Sequence, residues 1–316
     1  MDKKIIVKSK KSIKCSICTV PNKIKQIPCN MKNLDRISGC IVIKILWARL
    51  RYWHRVFGFL PMRLIGFIPT KLKKEREDFF AKNDTRDLYN IPIFIISYNR
   101  LYYLKRLVER LEKMGYKNVK IIDNHSSYPP LLQYYGTIQN DVFYMKKNYG
   151  HMVFWKCKVF KKYRDDLYVV TDPDVLPVNG CPNNFVEHFY ELLKRYPRLK
   201  KVGFSLKIND IPKDSPLYKE IVSWESAFYI FRVPGCKAHI ADIDTTFALY
   251  IPDKLDISKN FFIAVRTDYP YQLKHLPWYK KKNDISEEDI YYNNHRINGW
   301  WDEIGGKMTE EGQNNR

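Results

Sequence analysis

The chain has 316 residues, 45% of them hydrophobic and 15% aromatic, with a formal charge of +21. That apolar content excludes a disordered chain, and the length suits one large packed domain with an extension or two small domains. The charge is uneven: residues 1–90 hold 21 Lys/Arg against 7 Asp/Glu, net +14, and residues 91–316 hold 34 against 27, net +7.

Basic character is therefore mainly an N-terminal property, and it does not by itself make the chain a nucleic-acid binder. The seven cysteines are an odd number, and residues 1–14 are too charged for a secretory signal. A reducing, cytoplasmic setting is expected. No run reaches the roughly 18–20 apolar residues of a membrane-spanning helix.

Residues 1–40 read as irregular and basic. Cys15, Cys18, Cys29 and Cys40 lie within them, and free thiols are favoured over a zinc site because no second CxxC or histidine supports one. Residues 41–68 alternate apolar and aromatic side chains with Lys44, Arg49, Arg51, His54, Arg55 and Arg63. That pattern fits a basic amphipathic helix on a membrane surface or against a partner; packing on the main domain is the alternative. Residues 71–87 are charged and read as a linker or a solvated helix.

From residue 89 the character changes. Residues 91–97 (IPIFIIS) form a buried-strand run, and Asn99 is expected to cap the helix that follows. In that helix Leu101, Leu104, Leu107, Val108, Leu111 and Met114 recur at helical spacing, and Gly115 closes it. A second strand, 119–122, ends at Asp123. This β-α-β unit predicts a parallel sheet, with Ser97 and Asp123 on one carboxyl edge. Residues 142–145 are a third strand, 153–163 a helix, and 167–170 (LYVV) a fourth strand. It runs into Asp172-Pro173-Asp174, where the proline stops the strand. Two acids at the carboxyl end of such a strand sit where open α/β sheets bind ligands, and Mg²⁺ or Mn²⁺ prefers such oxygens. A helix near 185–196, a strand at 202–206, Trp224-Glu225, residues 241–250 and His275-Leu276-Pro277-Trp278-Tyr279 follow. Residues 305–316 read as a polar tail.

No GxGxxG, GxxxxGK[ST] or HExxH is present, which disfavours dinucleotide, P-loop and zincin chemistry. Asp242-Ile243-Asp244-Thr245-Thr246 matches the DxDxT nucleophile string of haloacid-dehalogenase-like phosphatases. Only about 70 residues follow it, too few for that fold.

The ordered set of these segments resembles GT-A type nucleotide-sugar glycosyltransferases, near the family 2-like branch, over residues 89–300. It comprises the first strand with Tyr98-Asn99-Arg100, Asp123-Asn124 with Ser126, Asn148-Tyr149-Gly150-His151, Thr171-Asp172-Pro173-Asp174, Trp224-Glu225, Asp242 to Phe247, and His275 to Tyr279. The resemblance implies an α/β, Rossmann-like fold with a mostly parallel central sheet flanked by helices. It implies one catalytic domain, 89–304, behind a basic extension, 1–88.

It also implies roles. Ser97, Tyr98 and Arg100 would frame base and phosphates, Asp123 would bind uracil or ribose, and Asn148 and Asp172 would face the donor. Asp172 or Asp174, the latter more directly, would ligate Mn²⁺ or Mg²⁺, with His275 completing the shell. Asp242, Asp244 or Glu225 would be the base for the acceptor hydroxyl, Asp242 slightly favoured. Trp278, Trp300 or Trp301 would stack on acceptor sugar. The implied reaction moves a sugar from a UDP- or GDP-sugar, UDP favoured, to a glycan or glycoconjugate hydroxyl, with inversion. The competing expectations are a nucleic-acid-binding protein using the basic N-terminus and a non-catalytic GT-A-like binder of glycan or nucleotide.

Overall fold

The computed structural model describes residues 68–256, 264–281 and 284–296. The cysteines Cys15 to Cys40, the amphipathic segment up to residue 67, Trp300, Trp301 and the polar tail lie outside the described residues.

The fold is mixed α/β, a central sheet with helices on its faces. Strand β1 (Ile93–Ser97) pairs in parallel with β2 (Val119–Asp123) and with β4 (Tyr168–Thr171); β2 pairs in parallel with β3 (Asp141–Tyr144). Every residue of β1 is buried. Ile93 and Ile95 enter one core cluster while Phe94 and Ile96 enter another, so the period-two alternation of a strand feeds two apolar layers. The first layer is closed by helix α2 (Leu101–Lys113), which buries Leu104, Leu107, Val108 and Leu111 as their spacing predicts. Gly115, at φ +98, terminates it in the left-handed conformation that glycine adopts without a Cβ penalty.

Beyond β4 the sheet changes sense. Strand β6 (Lys201–Leu206) does not pair with β4; β8 (Ala248–Tyr250) lies between them, antiparallel to both. Strand β9 (Ala264–His275) runs parallel to β6 and carries β5 (Val175–Pro177) and β7 (Ala238–Ile240) antiparallel. Among the described residues the order is β3-β2-β1-β4-β8-β6-β9-β5, with β7 also on β9. Gly203 permits the β6–β8 approach, because a Cβ there would stand 2.2 Å from the Phe247 carbonyl oxygen.

Two expectations change, and one unassigned segment is settled. The helix expected at 153–163 is two short ones, Val153–Lys156 and Lys158–Tyr163, broken where Cys157 is extended. Residues 241–247, which the sequence left without an assignment, form a loop between β7 and β8. The charged stretch after residue 70 is no linker: helix α1 (Thr70–Lys82) buries Arg76 and Phe80 in the fold. Arg76, 2% exposed, donates to the carbonyls of Leu193 and Leu255 at 2.9 and 3.4 Å. Burial pulls its guanidinium down to about 9, with Asp256 opposing, so it stays charged at neutral pH.

Arg76→Ala leaves two buried carbonyls without their donor and is expected to cost about 1–3 kcal/mol. A urea melt checks this; an unchanged midpoint would show that α1 adds nothing to the fold.

Candidate functional site at the carboxyl edge

Parallel pairing of β2, β1 and β4 puts their carboxyl ends on one edge. Ser97 and Asp123 are register partners there, and Thr171 on β4 pairs with Ile95, so Asp172 leaves the sheet at the same level. Two antiparallel pairings bring distant residues to this edge. Ala248 pairs with Val170, so loop 241–247 enters β8 where β4 ends. Val175 pairs with His275, and the Leu276 N–H donates to the Asp174 carbonyl at 2.8 Å, so a histidine a hundred residues downstream stands beside the second acid.

The Asp172 carboxylate accepts from Thr245 Oγ1 at 2.8 Å. Burial, then the charges of Asp174 and Asp244, push it up to about 7, and only the Thr245 hydroxyl acts the other way. His275 Nε2 lies 3.7 Å from Asp174 Oδ1, and its Nδ1 is buried with no hydrogen-bond partner. Burial pulls the imidazole down, Asp174 opposes and Arg100 adds to the pull; the balance keeps it neutral near pH 7, the form that binds a metal.

Arg100 completes this corner. Its guanidinium lies 3.8 Å from the ring of Tyr292 and 3.4 Å from Asp289, both on helix α8 (Glu287–His295). Burial pulls it down, but Asp174, Tyr292, Tyr103 and Asp289 together outweigh that and raise it.

The other expected donor residues are tied inward. Asp123 is 3% exposed; it accepts from Ser126 N at 3.1 Å, and Tyr135 Oη lies 3.0 Å from both its Oδ1 and Ser97 Oγ. Asn148 Oδ1 accepts from Asn124 Nδ2 and the Gly150 N–H, both at 2.8 Å, and Tyr98 donates to the His295 carbonyl at 2.6 Å. Asn99 is not the helix cap. It holds φ +51, and its side-chain oxygen accepts from the N–H groups of Ser127 and Tyr128. The α2 N-terminus is instead met by Glu288, which accepts from the Tyr102 N–H at 2.8 Å.

Two expected residues fall away. Glu225 is no base for an acceptor: it is 4% exposed and paired with buried Arg266 at 2.9 Å. Trp278 is no sugar platform: it is 7% exposed and packs on His275 with centroids 4.5 Å apart. Asp242 and Asp244 share the loop that Thr245 ties to Asp172. Asp242 is buried at 8% exposure, and Asp244 is exposed.

Sequence reasoning missed Thr245, Tyr135, Lys201 and the whole of α8. Thr245 lay inside a quoted string, but only the antiparallel β8 shows that it faces Asp172. Lys201 reads as half of a surface Lys-Lys pair, yet it is fully buried.

Among the described residues no three His, Cys, Asp or Glu side chains are spaced to hold a metal ion. Asp174 and His275 offer two donors of the right chemistry, which suits an ion that takes its remaining ligands from phosphate and water.

No protein-family profile matches this chain, and no curated protein does. Among solved structures it is similar to S. aureus TarS 1–349 (12% identity, TM-score 0.32, covering 52% of this chain and 47% of that one). It is also similar to GalNAc-T7 solved with UDP, GalNAc and Mn²⁺ (12%, TM-score 0.41, 75% and 58%) and to S. aureus TarS (11%, TM-score 0.36, 64% and 38%). The chain thus spans about half the length of the structures it matches, and at these scores the likeness assigns no residue.

An Asp172 carboxyl raised from 3.8 to about 7 binds more protons folded than unfolded between those values. Stability therefore falls as pH rises through that window, and the penalty is complete above it. Since Asp172 keeps some contact with water, Asp172→Asn is expected to gain on the order of 1–3 kcal/mol over wild type at pH 8 and almost nothing at pH 4. Equal gains at both pH values in denaturant melts would contradict this.

Proposed function

We propose that the chain is a GT-A type glycosyltransferase that moves a sugar from a nucleoside-diphosphate sugar to a hydroxyl acceptor. One observation carries the reading. Two acid pairs from different parts of the chain, Asp172 with Asp174 and Asp242 with Asp244, meet at one carboxyl edge, joined by the Thr245–Asp172 hydrogen bond, with His275 and Arg100 beside Asp174.

The division of labour follows from exposure and charge. Arg100, always cationic, takes the diphosphate; Ser97 and Asp123, held by Tyr135, define the nucleoside end. Asp174 and His275 would hold Mn²⁺ or Mg²⁺. A bound divalent ion offsets the charge that develops on the departing nucleoside diphosphate. Asp244, exposed on the acceptor side, takes the acceptor hydroxyl proton; Asp242, favoured from sequence, is the buried member of the pair. The acceptor oxygen bonds to the anomeric carbon as the bond from that carbon to the phosphate oxygen breaks, and the electron pair leaves with the diphosphate. A base opposite the leaving group gives inversion.

Titration calorimetry with UDP and Mn²⁺ tests the donor half. Binding is expected only with both present, and Asp174→Ala should weaken it by at least about tenfold, 1.4 kcal/mol. Lack of binding at millimolar UDP, or an Asp174→Ala affinity equal to wild type, would overturn the reading.

A further inference from the structure

Lys201 opens β6 and is fully buried, in a strand whose every residue is buried. Burial drives the Lys201 amine well below the usual lysine range, with Asp244 opposing, and a buried amine must find hydrogen-bond partners. Its Nζ donates to the Asp244 backbone carbonyl at 3.1 Å and to Tyr250 Oη at 3.2 Å; the same phenol donates to that carbonyl at 3.3 Å. Tyr250 is itself rigidly placed, stacked on Tyr168 at 5.1 Å with the rings 8° apart.

A second buried basic side chain does the same two residues earlier. Arg266 on β9 donates through Nε to the Asp242 carbonyl at 2.8 Å, with its guanidinium 3.9 Å from the ring of Phe228 and Glu225 on Nη1. Between these two carbonyls Ile243 is fully buried in the second core layer. Immediately after them Thr245 reaches Asp172. At the far end of loop 241–247 the Phe204 N–H on β6 donates to the Phe247 carbonyl at 3.2 Å; over 242–245 these side-chain anchors set where the acids stand.

We propose that Lys201 is a positioning residue for the acceptor-side acids: by holding the Asp244 carbonyl it fixes the loop carrying Asp242, Asp244 and Thr245 against Asp172. Its role as an acceptor-side device rests on the function proposed above. The contact itself does not.

The test compares wild type with Lys201→Met, which keeps length and burial but removes the donor, and with Tyr250→Phe, which removes only the second donor and keeps the ring. Amide hydrogen exchange is measured on the whole chain without ligand. Exchange in peptides spanning 241–247 should quicken at least about tenfold in Lys201→Met, and less in Tyr250→Phe, while β1 and β2 peptides keep their wild-type rates. Unchanged loop exchange, or a uniform rise across the sheet, overturns the proposal, since a purely core-stabilising lysine gives one of those.

The functional readout is the ratio of sugar transfer to donor hydrolysis, which is independent of the fraction of folded enzyme. It should fall about ten- to hundredfold in Lys201→Met at unchanged UDP affinity, because a misplaced base penalises only the acceptor step. A wild-type ratio in both variants overturns the proposal while leaving the glycosyltransferase reading intact. Absence of any nucleotide-sugar turnover in wild type counts against that reading instead, and loop exchange then decides on Lys201.

Discussion

The Thr245–Asp172 hydrogen bond is the contact on which the rest of the site depends. Asp172 ends a buried parallel strand and has two further acids near it, so its charge is costly where it stands. A single hydroxyl from the loop before β8 offsets part of that cost. The same hydroxyl ties two acidic segments separated by about seventy residues into one surface. Without it the Asp172 carboxylate would lose the hydroxyl donor that lowers the cost of its charge.

Sheet topology makes the contact obligatory. A fully parallel sheet would place the start of β8 on the edge opposite the end of β4. Running β8 antiparallel brings its entry loop to the exit of β4. The β5–β9 pairing works the same way for His275, and the parallel β1–β2–β4 block supplies Ser97 and Asp123 to that edge. The buried Lys201 and Arg266 side chains then hold the backbone carbonyls of Asp244 and Asp242 in the loop that leads into β8. Architecture sets the level of each acid, and side chain–backbone hydrogen bonds set its position.

Local patterns made the first half of the fold legible. The alternation in β1, the helical spacing in α2 and the glycine at its end are short-range signals, and each stands where its pattern placed it. The order of strands beyond β4 was not legible, because β5, β7 and β8 are three residues each and their partners lie far along the chain. The Asp-Pro-Asp motif was visible as chemistry, but not the environment that raises Asp172. Glu225 was misread because an acid beside a tryptophan looks the same in sequence whether it faces solvent or a buried arginine. Helix α8 escaped notice because its attachment is polar. Glu288 on the α2 N-terminus, Asp289 on Arg100 and the Tyr291 hydroxyl on Ser127 leave no apolar stripe to read.

The central claim is that Asp174 and His275 form the protein half of a metal site completed by a nucleoside diphosphate. Electron spin-echo modulation of Mn²⁺ bound in the presence of UDP reads this directly, since a coordinated imidazole couples its nitrogen to the metal. The account predicts a nitrogen modulation that needs UDP and disappears in His275→Gln, with phosphorus coupling retained. Mn²⁺ that binds equally without UDP, or shows no nitrogen coupling in the wild-type chain, would contradict it.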